Sequence, residues 1–188
     1  MTNRENILTC ALNFFASRGY DAVGVQEIAA AAGVQKPTLY HYFGNKAGLL
    51  KSLLEENFAP LFTQLEKAAD YQHDAKITLQ AVTNVYFNFA RQNPHFYRMQ
   101  LALWFAAPDS EPFRAVASFN QRQQELLEAL FYKASLDHGN MKGRQRAYAA
   151  TFLGMTNTYA SLGLSGFVEL DPALVNNAVH QFMHGIFS

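Results

Sequence analysis

Along almost the whole chain apolar residues return every three or four positions, the period of an α-helix, and nowhere do they alternate as strands do between hairpin turns. The pattern predicts an all-α fold. A first helix is expected over about 3–18, with Ile7, Leu8, Ala11, Leu12, Phe14 and Phe15 as its apolar positions and Gly19 as its stop. Two short helices are expected over about 25–32 and 36–43, separated by Gly33 and Val34. Asn45 is placed to cap a longer helix from residue 46, which carries Leu49, Leu50, Leu53, Leu54, Phe58, Leu61, Phe62 and Leu65. Pro60 lies inside it and is expected to kink or break it. After a polar loop at 69–74, Asp74 can cap a helix over about 75–92. Asn93 and Pro94 start another over about 94–106, apolar all round and therefore expected in the middle of a bundle. Three more helices are expected over about 112–134, 142–163 and 172–187, the last started by Asp171 and Pro172.

Composition narrows this picture. With 49% apolar and 16% charged residues the chain can offset the entropy of ordering, which excludes general disorder. Its 188 residues suffice for one large or two small domains. Sixteen Phe and nine Tyr imply a large core or a wide aromatic pocket. The single cysteine, Cys10, rules out an intrachain disulfide and points to cytoplasmic residence; on the first helix it reads as a small apolar residue. No leader-like segment and no apolar run of about 20 residues is present, so no membrane partner is expected. There is no glycine-rich phosphate loop, nucleophile elbow or metal-ligand cluster, so neither enzymatic activity nor a cofactor or metal is expected. His180 and His184 have metal-compatible spacing, but lie opposite the apolar face without a third ligand nearby in sequence.

The most informative stretch, residues 25–46, reads VQEIAAAAGVQKPTLYHYFGNK. Ile28 and Ala29 face inward from the first short helix, and Leu39 and Phe43, four apart, form the buried stripe of the second. Ala32 and Gly33 are small enough for two short helices to cross closely, as in a helix-turn-helix. Gln35, Lys36, Thr38, Tyr40, His41 and Tyr42 are left toward solvent. Hydroxyls, an amide, an imidazole and phenols suit phosphate oxygens and base edges, where a merely solvated helix would carry Glu and Lys. Pro37 stiffens the start of this helix, and Lys46 with the free N–H groups of the next helix can hold a phosphate. The chain carries no net charge, and residues 1–50 hold four cations against three carboxylates, so charge alone does not mark a nucleic-acid binder.

These residues resemble the DNA-binding domain of the TetR family of bacterial regulators. The resemblance rests on Phe14 and Phe15 followed by R-G-Y-D-A at 18–22, I-A-x-x-A-G-V at 28–34, and T-L-Y-x-Y-F-x-N-K-x-x-L-L at 38–50. It covers about residues 4–54 and implies that Gln35, Lys36, Pro37, Thr38, Tyr40, His41 and Tyr42 lie on or near DNA, with Lys46 on a phosphate. The family usually has Thr or Ser where this chain has Gly24, so one cap hydroxyl and backbone contact is missing. A three-helix DNA-binding domain at 1–46 is then followed by a helical ligand-binding and dimerisation bundle at 47–188.

Within that second part, Asn120 and Gln124 sit in the middle of an apolar face formed by Phe113, Val116, Ala117, Leu127 and Phe131, and Gln100 lies between Phe96 and Trp104. Amides on an apolar stripe need partners. Either Gln100, Asn120 and Gln124 meet a ligand among aromatic walls such as Phe58, Phe62, Tyr86, Phe89 and Trp104, or they bond within a filled core. The penultimate helix carries a small stripe, Ala147, Thr151, Gly154, Thr158 and Ser161, that lets another helix approach. With Val175, Val179, Phe182, Met183 and Ile186 of the last helix it is expected to form a four-helix dimer interface. The expected function is a homodimeric repressor released from a near-palindromic double-stranded DNA operator by a small-molecule effector. An architectural DNA binder without effector, and a helical carrier or enzyme, are the alternatives.

Overall fold

The computed structural model describes residues 2–185, and among these the chain forms nine α-helices and no strand. They are α1 (Asn3–Arg18), α2 (Val25–Ala31), α3 (Lys36–Phe43), α4 (Lys46–Ala68), α5 (Ala75–Gln92), α6 (Pro94–Trp104), α7 (Glu111–Asp137), α8 (Gln145–Leu164) and α9 (Pro172–His184), with a short 3-10 turn at Gly139–Met141 before α8. Ile186 falls outside the described residues.

Several helix ends form by side-chain capping. Thr2 and Glu5 make a reciprocal capping box on α1. Asn45 accepts the Gly48 N–H at 2.8 Å, Asp74 the Ile77 N–H at 2.9 Å and Asp171 the Leu174 N–H at 2.7 Å. Asn93 instead closes α5, donating its amide to the Phe89 carbonyl at 3.2 Å.

Three expectations are corrected. Helix α4 runs unbroken through Pro60. The proline ring is exposed, while Phe58, Leu61, Phe62 and Leu65 on either side are buried, so packing on the other face holds the helix across the missing N–H. Helix α6 is not apolar-buried all round: Phe96, Tyr97, Met99 and Leu103 are inside, whereas Ala102 is exposed and Phe105, just beyond the helix, is 84% exposed. Val175 and Val179 do not form an outer surface. Both are buried within the single chain, on a helix that packs against α5 and α8, so they cannot meet a second subunit.

By packing, the chain divides into two compact units. Unit 1 comprises residues 1–59 and 95–118, and unit 2 residues 60–94 and 119–188. In unit 1, α1 packs on α2 and α3 around Ile7, Ala11, Phe15, Ile28 and Leu39, and Phe58 meets Phe96 edge-on at 5.1 Å. In unit 2, α5 packs on α8 and α9. An aromatic cluster of Phe131, Tyr148, Phe152 and Phe182 joins α7, α8 and α9, with centroids 5.2–6.5 Å apart.

Candidate nucleic-acid interface

Helices α2 and α3 are joined by a tight turn. Gly33 adopts the left-handed conformation at φ 68°, which lets the Val34 N–H reach back to the Ala29 carbonyl at 3.0 Å. The Asn6 amide donates to the Ala32 carbonyl at 2.8 Å, fixing this turn to α1. Leu39 and Phe43 anchor α3 in the core, and Arg4 of α1 stacks over the Phe43 ring at 5.5 Å while pairing with Glu56 of α4 at 2.5 Å. Helix α3 is thereby anchored through Leu39, Phe43 and the Arg4 contact with α1.

What remains outward on α3 and its cap is the set expected from sequence. Gln35, Lys36, Pro37, Tyr40, His41 and Tyr42 are exposed and Thr38 is half-buried. The Lys36 ammonium rests over the Tyr40 ring at 5.3 Å, and the His41 and Tyr42 rings meet edge-on at 5.5 Å. The surface is thus a row of aromatic and amide groups.

Lys46 is differently placed from the expected phosphate contact. Its ammonium donates to the Tyr20 carbonyl at 2.6 Å and lies 4.0 Å from the centre of the Tyr20 ring. The Tyr20 hydroxyl in turn donates to Glu111, the first residue of α7. Partial burial pushes the Lys46 pKa down, and burial, reinforced by Glu111, pushes that of Tyr20 up. An ammonium has three donors, so one is committed internally and two are left for a phosphate. Neither Tyr20 nor Glu111 was identifiable from sequence, because the partners are 91 positions apart.

Gly24 caps α2 without a side-chain hydrogen bond, and a β-carbon built there meets nothing within 4 Å. Replacing Gly24 with Ser is therefore expected to leave the fold intact and stabilise it by only a few tenths of a kcal/mol. If the hydroxyl also reaches a phosphate, DNA binding tightens about threefold; the check is a fluorescence-anisotropy titration beside a urea melt.

The residues proposed from sequence for a ligand fall in both units. In unit 1, Phe58 and Gln100 are buried and Trp104 is half-buried; the Gln100 side-chain oxygen has no hydrogen-bond partner among the described residues. In unit 2, Phe62, Tyr86 and Phe89 are buried, and the Phe62 ring carries the Arg122 guanidinium at 4.1 Å. The buried Asn120 oxygen is unpartnered among the described residues. Gln124 directs its amide to Glu128 at 2.8 Å and to the Arg146 carbonyl at 3.2 Å. The buried amide of that stretch is Gln123, one position earlier, which the helical wheel passed over.

On α8, Ala147, Thr151, Gly154, Thr158 and Ser161 are all exposed, and Tyr148, Phe152, Met155, Tyr159 and Leu162 lie inward or half-buried. Phe182 is half-buried in the aromatic cluster and Met183 is 41% exposed. The His180 and His184 rings meet tilted, with centroids 4.6 Å apart, on the exposed side of α9.

Residues 7–53 match the family model for bacterial regulatory proteins of the tetR family. The chain carries a DNA-binding domain of the TetR family. It is a helix-turn-helix transcriptional regulator, and the family is not enzymatic. The TetR-type chain is 27% identical over 182 residues to the transcriptional activator FasR of Mycolicibacterium smegmatis, covering 97% of this chain and 81% of that protein. Among solved structures it is similar to Bacillus subtilis FadR in complex with stearoyl-CoA, with a TM-score of 0.80, 22% identity and coverage of 97% of this chain and 98% of that one. It is also similar to AibR in complex with isovaleryl coenzyme A and operator DNA, with a TM-score of 0.74, 20% identity and coverage of 99% and 100%. No helix among the described residues is long and apolar enough to cross a membrane.

Proposed function

We propose that this TetR-family chain is a homodimeric repressor that leaves a near-palindromic operator when an acyl thioester binds its helical bundle. In this reading residues 1–46 bind DNA and residues 47–188 carry the effector and dimer surfaces. The observation that carries the DNA side is the outward row on α3, held by a buried Leu39–Phe43 anchor and facing solvent with groups that read bases. Gln35 and Thr38 would touch base edges; Lys36, Pro37, Tyr40, His41 and Tyr42 would lie along the backbone and groove, and Lys46 would add a phosphate contact.

The effector class is supported by the ligands in the two similar structures, stearoyl-CoA and isovaleryl coenzyme A. Within unit 2 it is supported too by the buried aromatics Phe62, Tyr86 and Phe89 and by the unpartnered Asn120 oxygen and Gln123 nitrogen; within unit 1, Phe58 and the unpartnered Gln100 oxygen are a separate buried pair. Dimerisation is supported by the exposed small stripe of α8 and by Met183; Val175 and Val179 have no part in it. A near-palindromic site follows from two-fold symmetry. Effector binding would shift the population away from the DNA-competent form.

The test is selection of duplexes from a random pool, followed by gel-shift titration. Changing Gln35 or Thr38 to Ala is expected to alter the selected sequence. Lys46→Ala is expected to weaken all duplexes by a similar factor, about tenfold. Unchanged selection and affinity in all three variants would refute the assignment. Stearoyl-CoA and isovaleryl coenzyme A added to the wild-type complex then test release.

A further inference from the structure

Most buried polar groups of unit 2 need nothing from outside. Thr78, Thr83 and Thr156 each donate to the carbonyl four residues earlier on their own helix, at 2.7–2.8 Å, and Ser135 donates to the Tyr132 carbonyl at 2.7 Å. Three side chains break this rule: Gln145 at the start of α8, whose oxygen has no partner among the described residues, and two neighbours on α7. Gln123 is 1% exposed; its oxygen accepts the Tyr86 hydroxyl at 3.1 Å, and its nitrogen has no partner among the described residues. Asn120, one turn earlier on the same side of α7, has a buried oxygen without a partner. An unpaired buried amide is costly, and native cores rarely keep one without a reason.

The Tyr86 hydroxyl settles what is on offer. Because Tyr86 donates to the Gln123 oxygen, the end of the Gln123 amide left over is its N–H donor. Asn120 leaves an acceptor. The complementary ligand group therefore brings an acceptor and a donor together. A carboxylate brings no donor and a charge that these neutral groups cannot balance. An ester or thioester carbonyl brings an acceptor alone. A hydroxyl brings both on a single atom; a secondary amide brings them on two atoms set apart, which suits partners one helical turn from each other.

We infer that Tyr86, Gln123 and Asn120 form a polar subsite that recognises a secondary amide within an otherwise apolar ligand. This rests on the reading of the chain as ligand-responsive, and it agrees with an acyl-CoA effector, whose pantetheine arm carries secondary amides. Gln123 donates to the amide carbonyl, Asn120 accepts from the amide N–H, and Tyr86 holds Gln123 in the donating orientation.

Calorimetric titration with a matched pair of probes, N-hexyldecanamide and hexyl decanoate, tests the subsite apart from the acyl-CoA proposal. The wild type is expected to bind the amide about tenfold more tightly than the ester, and Asn120→Leu to abolish that preference. The double change Tyr86→Phe with Gln123→Leu removes both partners of the internal bond. It is expected to melt no lower than the wild type, yet to lose the preference and bind both probes weakly. Equal wild-type affinity for the two probes, binding of neither, or a double variant that melts far below the wild type overturns the subsite. Stearoyl-CoA is the separating arm. If it fails to bind while the amide preference stands, the acyl-thioester effector falls and the subsite survives. If it binds and the preference is absent, the subsite falls alone.

Discussion

Gly48→Ala is expected to abolish operator binding and to cost about 2–3 kcal/mol of stability. A β-carbon at this position would stand 2.0 Å from the Phe43 carbonyl oxygen and 3.2 Å from its carbon. The obstacle is backbone at the last residue of α3, so no side-chain rotation relieves it. That same oxygen accepts the Asn45 N–H at 2.8 Å, and the Gly48 N–H is held by Asn45, so the α3–α4 turn has no slack. Relief requires α3 to lift from α4, which pulls Phe43 from the core and tilts the outward row on α3. A urea melt should show the loss of stability, and anisotropy with a selected operator should show affinity falling more than a hundredfold. Stability and affinity both within twofold of wild type would show that the turn yields more easily than its geometry implies.

The second large effect concerns α8. Gly154→Arg is expected to leave the subunit folded and to make it monomeric. Nothing lies within 4 Å of a β-carbon at Gly154, and an arginine is a better helix residue than glycine by about 0.5–1 kcal/mol. Within one chain the change is harmless. In the proposed dimer it places a long cation in the centre of a seam of small residues. The Thr158 hydroxyl is already spent on the Gly154 carbonyl at 2.8 Å, so that position offers the seam a methyl group. Sedimentation should show a monomer with unchanged circular dichroism. Operator affinity should fall by about two to three orders of magnitude, because the second half-site is no longer delivered by the first. A dimer that persists, or full-length operator binding that is unchanged, would place the subunit contact elsewhere.

Much of the DNA-binding half was legible in the sequence because its determinants are local. Gly33, Leu39, Phe43 and Asn45 act within a few positions of themselves, and spacing suffices to place them. The errors share a different origin. An apolar stripe on α9 shows that a face is buried but not by whom, and Val175 and Val179 are buried by this chain's own helices rather than by a partner. Pro60 announces a missing hydrogen bond, while the packing of Phe58, Leu61 and Phe62 that outweighs it is non-local. Lys46 was legible as a cation at a helix start, but not its attachment to Tyr20. On α7 the wheel centred on Asn120 and Gln124; a few degrees of rotation decide that Gln123 is the buried amide instead.

The row on α3 has a consequence for how the regulator behaves as its surroundings change. Cationic DNA binders gain affinity by releasing condensed counterions, and lose it steeply as ionic strength rises. Here the outward groups are chiefly amide, hydroxyl and aromatic, with Lys36 resting on Tyr40 and Lys46 partly committed to Tyr20. Few counterions would be displaced on binding. In the proposed repressor, occupancy of the operator would then follow sequence match and effector rather than osmotic state, and would hold in a cell concentrating its salts in dry conditions.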